Sequence, residues 1–248
     1  MDYTDISDKL IYKVVSSAVG LFYPKIQIEG LDKLPDEACV IVSNHAQMNG
    51  PIVAELYPPG PCFTWCAGEM TELKKVPAYA YKDFWSEKPG YIKWFYKLLS
   101  YLIAPLAVLV FNNAHTIPVY HDRRIISTIK DSVEKLNDGA NLLIFPEHNK
   151  PYNNILCDFE IGFVDVARQY YKSSGKELLF VPMYIAPDLK KIYLGDAVAY
   201  DSTANYKDER IRISQYLMKE ISGIARSLPR HRVVPYNNIP KKNYPYNI

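Results

Sequence analysis

Apolar residues recur at two spacings along this chain, and together these spacings predict an α/β fold. Between Ile6 and Leu21 they lie three and four residues apart, which predicts an amphipathic N-terminal helix. Short apolar runs bounded by turn residues predict buried strands at Ala38–Val42, Cys62–Ala67, Ile117–Tyr120, Asn141–Ile144 and Leu178–Ile185. Further helices are predicted at Gly50–Tyr57, Arg123–Asn137, Phe159–Ser173 and Asp208–Ser227, with outer strands at Ile26–Glu29 and Ile192–Ala199. This alternation predicts a single-domain α/β sandwich in which helices flank a mixed, largely parallel sheet.

Two polar motifs follow predicted strands at the points where those strands end. Ser43-Asn44-His45 comes after Ala38–Val42, and Phe145-Pro146-Glu147-His148 comes after Asn141–Ile144. Strands deliver such residues to the edge of a sheet, where a turn presents them to a cleft. The pattern therefore predicts a site with a histidine and a carboxylate.

Four blocks of this sequence, taken in order, resemble the glycerolipid acyltransferase family that includes lysophosphatidate acyltransferase. Asn44 to Pro51 resembles the family's Asn-His followed, after four residues, by Asp-Pro. Thr116 to His121 resembles a strand that ends near an arginine, and Phe145 to Lys150 resembles Phe-Pro-Glu-Gly-Thr-Arg. Val181-Pro182-Met183 resembles the final Val-Pro block. The resemblance covers roughly residues 25 to 187 and implies a glycerol-3-phosphate acyltransferase-like fold.

The chain departs from the family pattern at its polar positions. Gly50 stands where the family has the aspartate that partners the histidine. His121 replaces an arginine, while His148 and Lys150 replace the glycine and arginine of the third block.

The resemblance implies that His45 is a general base, because an imidazole titrates near neutral pH and can remove a proton from an attacking alcohol. The alternative is that His45 only stabilises a turn between strand and helix. Glu147 is the nearest candidate to support the base in place of the missing aspartate, with Asn49, Gln47 and Asp158 as further candidates; a loop or glycerol-binding role is the alternative. The predicted substrate-binding residues are Asn44, Gln47, Asn49, His121, Arg123, Arg124, His148 and Lys150.

The implied activity is transfer of a fatty acyl group from acyl-CoA or acyl-carrier protein to a lysophospholipid or related glycerol phosphate, as in phospholipid biosynthesis. No cofactor or metal is implied. Two alternatives remain: a lipid-binding pseudoenzyme of the same fold, motivated by Gly50, and a hydrolase of thioesters or lipids. A serine-hydrolase triad is disfavoured because the chain has no Gly-x-Ser-x-Gly motif.

Length and charge narrow the class of protein. The 248 residues suffice for one substantial core, and a net charge of +2 gives no support for nucleic-acid binding. The four cysteines lack paired CxxC spacing and suggest reduced thiols. No signal-peptide pattern follows the acidic N-terminus. We therefore expect a cytoplasmic protein.

Two segments suggest the surface of a phospholipid membrane as a partner. Trp94–Phe111 is aromatic and aliphatic, but its uncharged part is shorter than the ~20 residues of a membrane span. It is interpreted either as a buried core helix or as a segment that dips into one leaflet.

The chain is divided into an N-terminal helix (1–24), an acyltransferase-like domain (25–227) and a basic, aromatic tail (228–248). The tail has no acidic residue and is expected not to pack against a core, so we expect peripheral binding to the inner face of a membrane.

Overall fold

The structure is a computed structural model that describes residues 3–86 and 88–248. The chain forms two compact units. The first comprises the described residues of Met1–Pro24 together with Trp65–Thr128, and the second comprises Lys25–Thr64 and Ile129–Ile248.

The described residues contain ten strands. They are β1 (Gln27–Glu29), β2 (Val40–Ser43), β3 (Cys62–Ala67), β4 (Thr116–Val119), β5 (Asn141–Ile144), β6 (Glu147–Tyr152), β7 (Cys157–Phe159), β8 (Leu179–Ala186), β9 (Lys191–Leu194) and β10 (Val198–Ala199). One sheet has the order β1-β9-β8-β2-β5-β3-β4, with β10 beside β8. β2 is parallel to β5 and β8, β3 to β5 and β1 to β9, while β9 and β10 run antiparallel to β8. The prediction of a mixed, largely parallel sheet is confirmed.

The central strands β2 and β5 are buried along their whole length, and the sequence explains why. Each is a nearly continuous apolar run rather than an alternating one. Such a run suits a parallel strand that is covered on both faces. β2 begins two residues later than predicted, at Val40, while β5 has the predicted bounds.

Seven α-helices occur in the described residues. They are α1 (Tyr3–Phe22), α2 (Asn49–Leu56), α3 (Val76–Ala80), α4 (Lys93–Asn113), α5 (Ile125–Asn137), α6 (Asp165–Ser174) and α7 (Tyr206–Ser227). In the second unit α7 packs against β8. It does so with a buried stripe of residues four apart, Ile213, Leu217 and Ile221.

The first unit packs a small core around α3 and α4. Met70, Val76, Ala80 and Ala104 are buried together there, and α1 packs on α4. Within α4, however, only Ser100 and Ala104 are buried, and six large apolar side chains are exposed. Its interpretation as a buried core helix is therefore wrong.

The segment after the Glu147 motif folds differently from the prediction. β6 and β7 pair antiparallel as a separate two-stranded sheet, and Phe159 ends β7 instead of starting a helix. α6 begins only at Asp165, after a 3₁₀ turn. β6 carries Asn149, Lys150 and Pro151 in sequence, so its apolar pattern is too weak to predict a strand.

The C-terminal tail also departs from expectation, because it packs against the second unit. His231, Val233 and Asn247 are almost completely buried. The side chain of Asn247 accepts a hydrogen bond from the His231 backbone N–H and donates to the carbonyl of Ala225 at the end of α7. The basic side chains of the tail remain at the surface.

Candidate active site

His45 and Glu147 are brought together by the register of β2 and β5. Val42 pairs with Ile144 in these parallel strands, so His45 and Glu147 each lie three residues beyond a matched pair. The carboxyl ends of the two strands therefore place both motifs at one edge of the sheet, as predicted. The backbone N–H of His45 donates a hydrogen bond of 2.6 Å to Glu147 Oε1.

The Glu147 carboxylate binds backbone amides rather than the imidazole ring. Its Oε2 accepts a second hydrogen bond of 2.7 Å from the N–H of Cys157, on β7. Burial raises the pKa of Glu147 to about 7, while these two hydrogen bonds act in the opposite direction. Of the roles considered for Glu147, contact with the imidazole is not found. The carboxylate instead holds the main chain at His45 and Cys157, which corresponds to the alternative role of supporting the loop.

A Glu147→Gln variant is expected to lower the free energy of unfolding by about 1–3 kcal/mol. The amide can accept only one of the two hydrogen bonds, so its NH₂ group faces the other backbone N–H and leaves a buried donor unsatisfied. Thermal or urea unfolding measures the loss. Glu160→Gln is the matched control, because Glu160 is exposed at the end of the same hairpin. Equal stabilities for the two variants would contradict this role of Glu147.

The His45 side chain sits between two aromatic rings. Phe145 and Tyr236 lie edge-on to it, with ring centroids 5.3 Å and 5.5 Å away. Its Nδ1 is buried and has no hydrogen-bond partner among the described residues. Burial lowers the pKa of His45 to about 4, against a smaller raising effect of the Gln47 main chain. The imidazole is therefore neutral at physiological pH.

Gly50 is required by the turn that follows His45. The Gly50 N–H donates to the His45 carbonyl at 3.0 Å. A Cβ atom on Gly50 would lie 2.2 Å from that carbonyl oxygen and 3.1 Å from a ring carbon of Phe145. The position that carries an aspartate in the resembled family thus has no room here for any side chain.

The other predicted residues of this motif use their polar atoms within the protein. The Asn44 side chain is buried, accepts from the N–H of Ile185 on β8 and donates to the carbonyl of the same residue. It acts as an extra pair of strand hydrogen bonds and leaves no free atom for a substrate. Asn49 Nδ2 donates to the carbonyl of Ala46, and Gln47 is bound by the tail.

His121, Arg123 and Arg124 lie in the first unit, all three exposed. Arg124 binds Asp122 and Glu72 and stacks over the Tyr120 ring at 3.9 Å. Hydrogen bonds from the side chain and the backbone N–H of Arg124 lower the pKa of Asp122 to about 2. Arg124 is thus already paired with carboxylates, which a phosphate would have to displace.

The remaining candidates lie on β6 and β7. His148 and Asp158 are half-buried. The structure does not describe the side chain of Lys150, the other candidate on β6. No group of three His, Cys, Asp or Glu residues within the described part of the chain could hold a metal ion.

Sequence reasoning missed three contributors to this site. Phe145 was visible only as part of a motif, and the Cys157 N–H is a backbone donor that carries no sequence signal. Tyr236 belongs to the tail, which was expected to be unpacked. Its contact with His45 spans most of the chain, so no local pattern could have indicated it.

Comparisons with known proteins leave the family open. No family model matches this chain, and no curated protein matches its sequence. Among solved structures, it is similar to the 1-acyl-sn-glycerophosphate (LPA) acyltransferase PlsC from Thermotoga maritima, with 13% identity and a TM-score of 0.45. The match covers 90% of this chain and 84% of that chain. Similarity at this level identifies neither a family nor an activity.

Proposed function

We propose that this chain is an acyltransferase that moves a fatty acyl group from acyl-CoA or acyl-carrier protein to a lysophospholipid or a related glycerol phosphate. The observation that supports it is the junction of the His45 and Glu147 motifs at the carboxyl ends of two central parallel strands. These are two of the four blocks that carry the resemblance to glycerolipid acyltransferases.

In the proposed reaction His45 accepts the proton of the acceptor hydroxyl while the alcohol oxygen attacks the thioester carbonyl. The tetrahedral intermediate then expels the thiolate, which takes the proton back from the imidazolium. Burial keeps His45 neutral, so no proton must first be lost at pH 7. The same low pKa weakens the base, and precise placement of the ring against the hydroxyl has to offset this weakness.

A non-catalytic lipid-binding role is the second candidate, supported by Gly50. No carboxylate contacts Nδ1 of His45 among the described residues, and a side chain at position 50 would collide with the turn. In that case the protein binds the acyl thioester or the lysolipid and releases it unchanged.

Lipid analysis of cells with and without this chain tests the proposal. Loss of the protein is expected to raise a lysophospholipid and to lower its acylated product. Expression of the wild-type chain is expected to reverse both changes, and expression of His45→Ala is expected to reverse neither. Equal rescue by the two chains would contradict an acyltransferase that depends on His45.

The first unit offers an apolar surface for the membrane that such a substrate requires. Residues 90–113 form one stretch, among the described residues, that is long and apolar enough to cross a membrane. Of the 18 most apolar consecutive residues within it, 11% are buried in the protein. The exposed large side chains of α4 include Trp94, Phe95, Leu98, Tyr101, Leu102 and Leu106. We propose that this surface inserts into one leaflet of a phospholipid membrane.

A Trp94→Glu/Phe95→Glu variant is expected to lose most of its salt-insensitive binding to anionic vesicles. Both rings are exposed, so the two charges oppose insertion without opening the core. Leu31→Glu is the matched control, since Leu31 is also exposed but lies on a 3₁₀ turn of the second unit. Vesicle co-sedimentation at low and high salt measures both.

The tail is expected to supply the salt-dependent part of that binding. Lys241 and Lys242 are exposed, and each basic residue near an anionic surface contributes about 1 kcal/mol. Lys241→Gln/Lys242→Gln is preferable to truncation, because removal of the tail would also remove the buried Val233. Failure of the intact protein to sediment with anionic vesicles at low salt would contradict membrane binding.

A further inference from the structure

The C-terminal tail, residues 228–248, is a closed loop with its own buried anchors, and we name it the C-terminal strap. The His231 ring hydrogen-bonds Tyr184 Oη on β8 at 2.8 Å. The N–H of Val233 donates to the carbonyl of Pro245, which closes the loop on itself. Asn247 ties its far end to the end of α7. These anchors hold the strap independently of its contacts with the His45 turn.

Both polar atoms of the Gln47 side-chain amide are hydrogen-bonded to the strap. Gln47 Nε2 donates to the carbonyl of Asn237 at 2.8 Å. The hydroxyl of Tyr244 donates to Gln47 Oε1 at 2.9 Å. A third strap residue, Tyr236, lies edge-on to the His45 ring. The strap thus contacts both the catalytic candidate and the residue two positions after it.

The backbone between these residues is in a conformation that needs outside support. Ala46 and Gln47 have φ angles of 47° and 54°, in the left-handed region. Neither residue is a glycine, so this conformation is strained and persists only where surrounding contacts fix it. The two hydrogen bonds on the side-chain amide provide such a restraint at Gln47.

We propose that Tyr244 and Tyr236 are positioning residues for His45, acting from the C-terminal strap through Gln47 and against the imidazole ring. The proposal rests on the acyltransferase function proposed above for its kinetic consequence, but not for its structural one. Tyr244 fixes the Gln47 side chain and hence the left-handed turn. Tyr236 and Phe145 then limit the orientations open to the imidazole between them.

The burial of the strap anchors favours this role over that of a latch that opens. His231, Val233 and Asn247 are 2%, 0% and 3% exposed, respectively. Release of the strap would expose the apolar Val233 and break the hydrogen bonds of Asn247 and His231. The strap is therefore part of the folded second unit.

Tyr244→Phe tests the proposal kinetically, because it removes one hydroxyl and keeps the ring. A misplaced general base lowers the rate of the chemical step, so kcat is expected to fall about tenfold with KM unchanged. Gln47→Leu is expected to have a similar effect. In the double variant kcat should fall little further, because both changes remove the same contact.

Tyr246→Phe is the matched control from the same strap, where the Tyr246 ring stacks on Arg230. An increase of kcat in Tyr244→Phe would show an inhibitory strap and overturn the proposal.

NMR of the histidine rings tests the positioning without any assay of activity. In Tyr244→Phe the His45 ring signals are expected to shift, whereas those of His231 stay in place because the strap remains anchored. The His45→Gln spectrum assigns the signal. If the His45 signal moves but the wild-type chain transfers no acyl group, the proposed function fails and the positioning stands. An unmoved His45 signal would overturn the positioning itself.

Discussion

A Gly50→Ala variant is expected to be less stable than the wild-type protein by at least about 3 kcal/mol. The added Cβ would lie 2.2 Å from the carbonyl oxygen of His45 and 3.0 Å from its carbonyl carbon. These are backbone atoms, so relief requires the turn itself to move. Urea unfolding measures the effect.

Gly223→Ala is the control for the Gly50 prediction. Gly223 lies within α7, and a Cβ there meets no atom within 4 Å. Alanine is the better helix former, so this variant is expected to be as stable as the wild type or more stable. A Gly50→Ala protein that matched Gly223→Ala in stability would contradict the turn geometry.

The same collision predicts that aspartate at position 50 does not restore a histidine–carboxylate pair. Gly50→Asp introduces the same Cβ, together with a charge beside a carbonyl oxygen that already accepts from the Gly50 N–H. The variant is expected to lose stability and to gain no activity. In this chain the backbone of the turn itself therefore excludes a side chain at position 50.

A His45→Ala variant is expected to lose at least ~100-fold in the rate of acyl transfer, the usual contribution of a general base. It should remain folded, because the backbone N–H that binds Glu147 is kept. Steady-state kinetics and circular dichroism measure the two properties. His115→Ala is the control, since His115 is an exposed histidine outside the motifs. Near-normal turnover by folded His45→Ala would refute the assignment.

Local patterns in the sequence predicted most of the strands and the edge of the sheet where the motifs meet. The apolar run Cys62–Ala67 became β3 with the predicted bounds, and Asn141–Ile144 became β5. Because parallel strands carry their ends to the same edge, the meeting of His45 with Glu147 followed from two short motifs. These features depend on neighbouring residues and on strand pairing alone.

The contacts within the site could not be predicted, because they depend on backbone atoms and on distant segments. Glu147 accepts hydrogen bonds from two backbone N–H groups, and nearly every residue carries such a group, so the sequence does not indicate which ones are used. The hydrogen bond between Tyr244 and Gln47 joins residues 197 positions apart. The basic, proline-containing composition of the tail suggested a solvated end, yet a few buried residues such as Val233 and Asn247 suffice to fold it back.

The reaction products of the purified 248-residue chain distinguish acyl transfer from hydrolysis and from binding alone. The protein is incubated with a radiolabelled acyl group on CoA or on acyl-carrier protein and with lysophosphatidate, other lysophospholipids or glycerol 3-phosphate as acceptors, in parallel with His45→Ala, and the lipids are separated. We expect label in an acylated acceptor, in proportion to the donor thiol released, and none above background with His45→Ala. Label in free fatty acid would show a hydrolase, and unchanged substrates would show a binding protein; either result would contradict acyl transfer by His45.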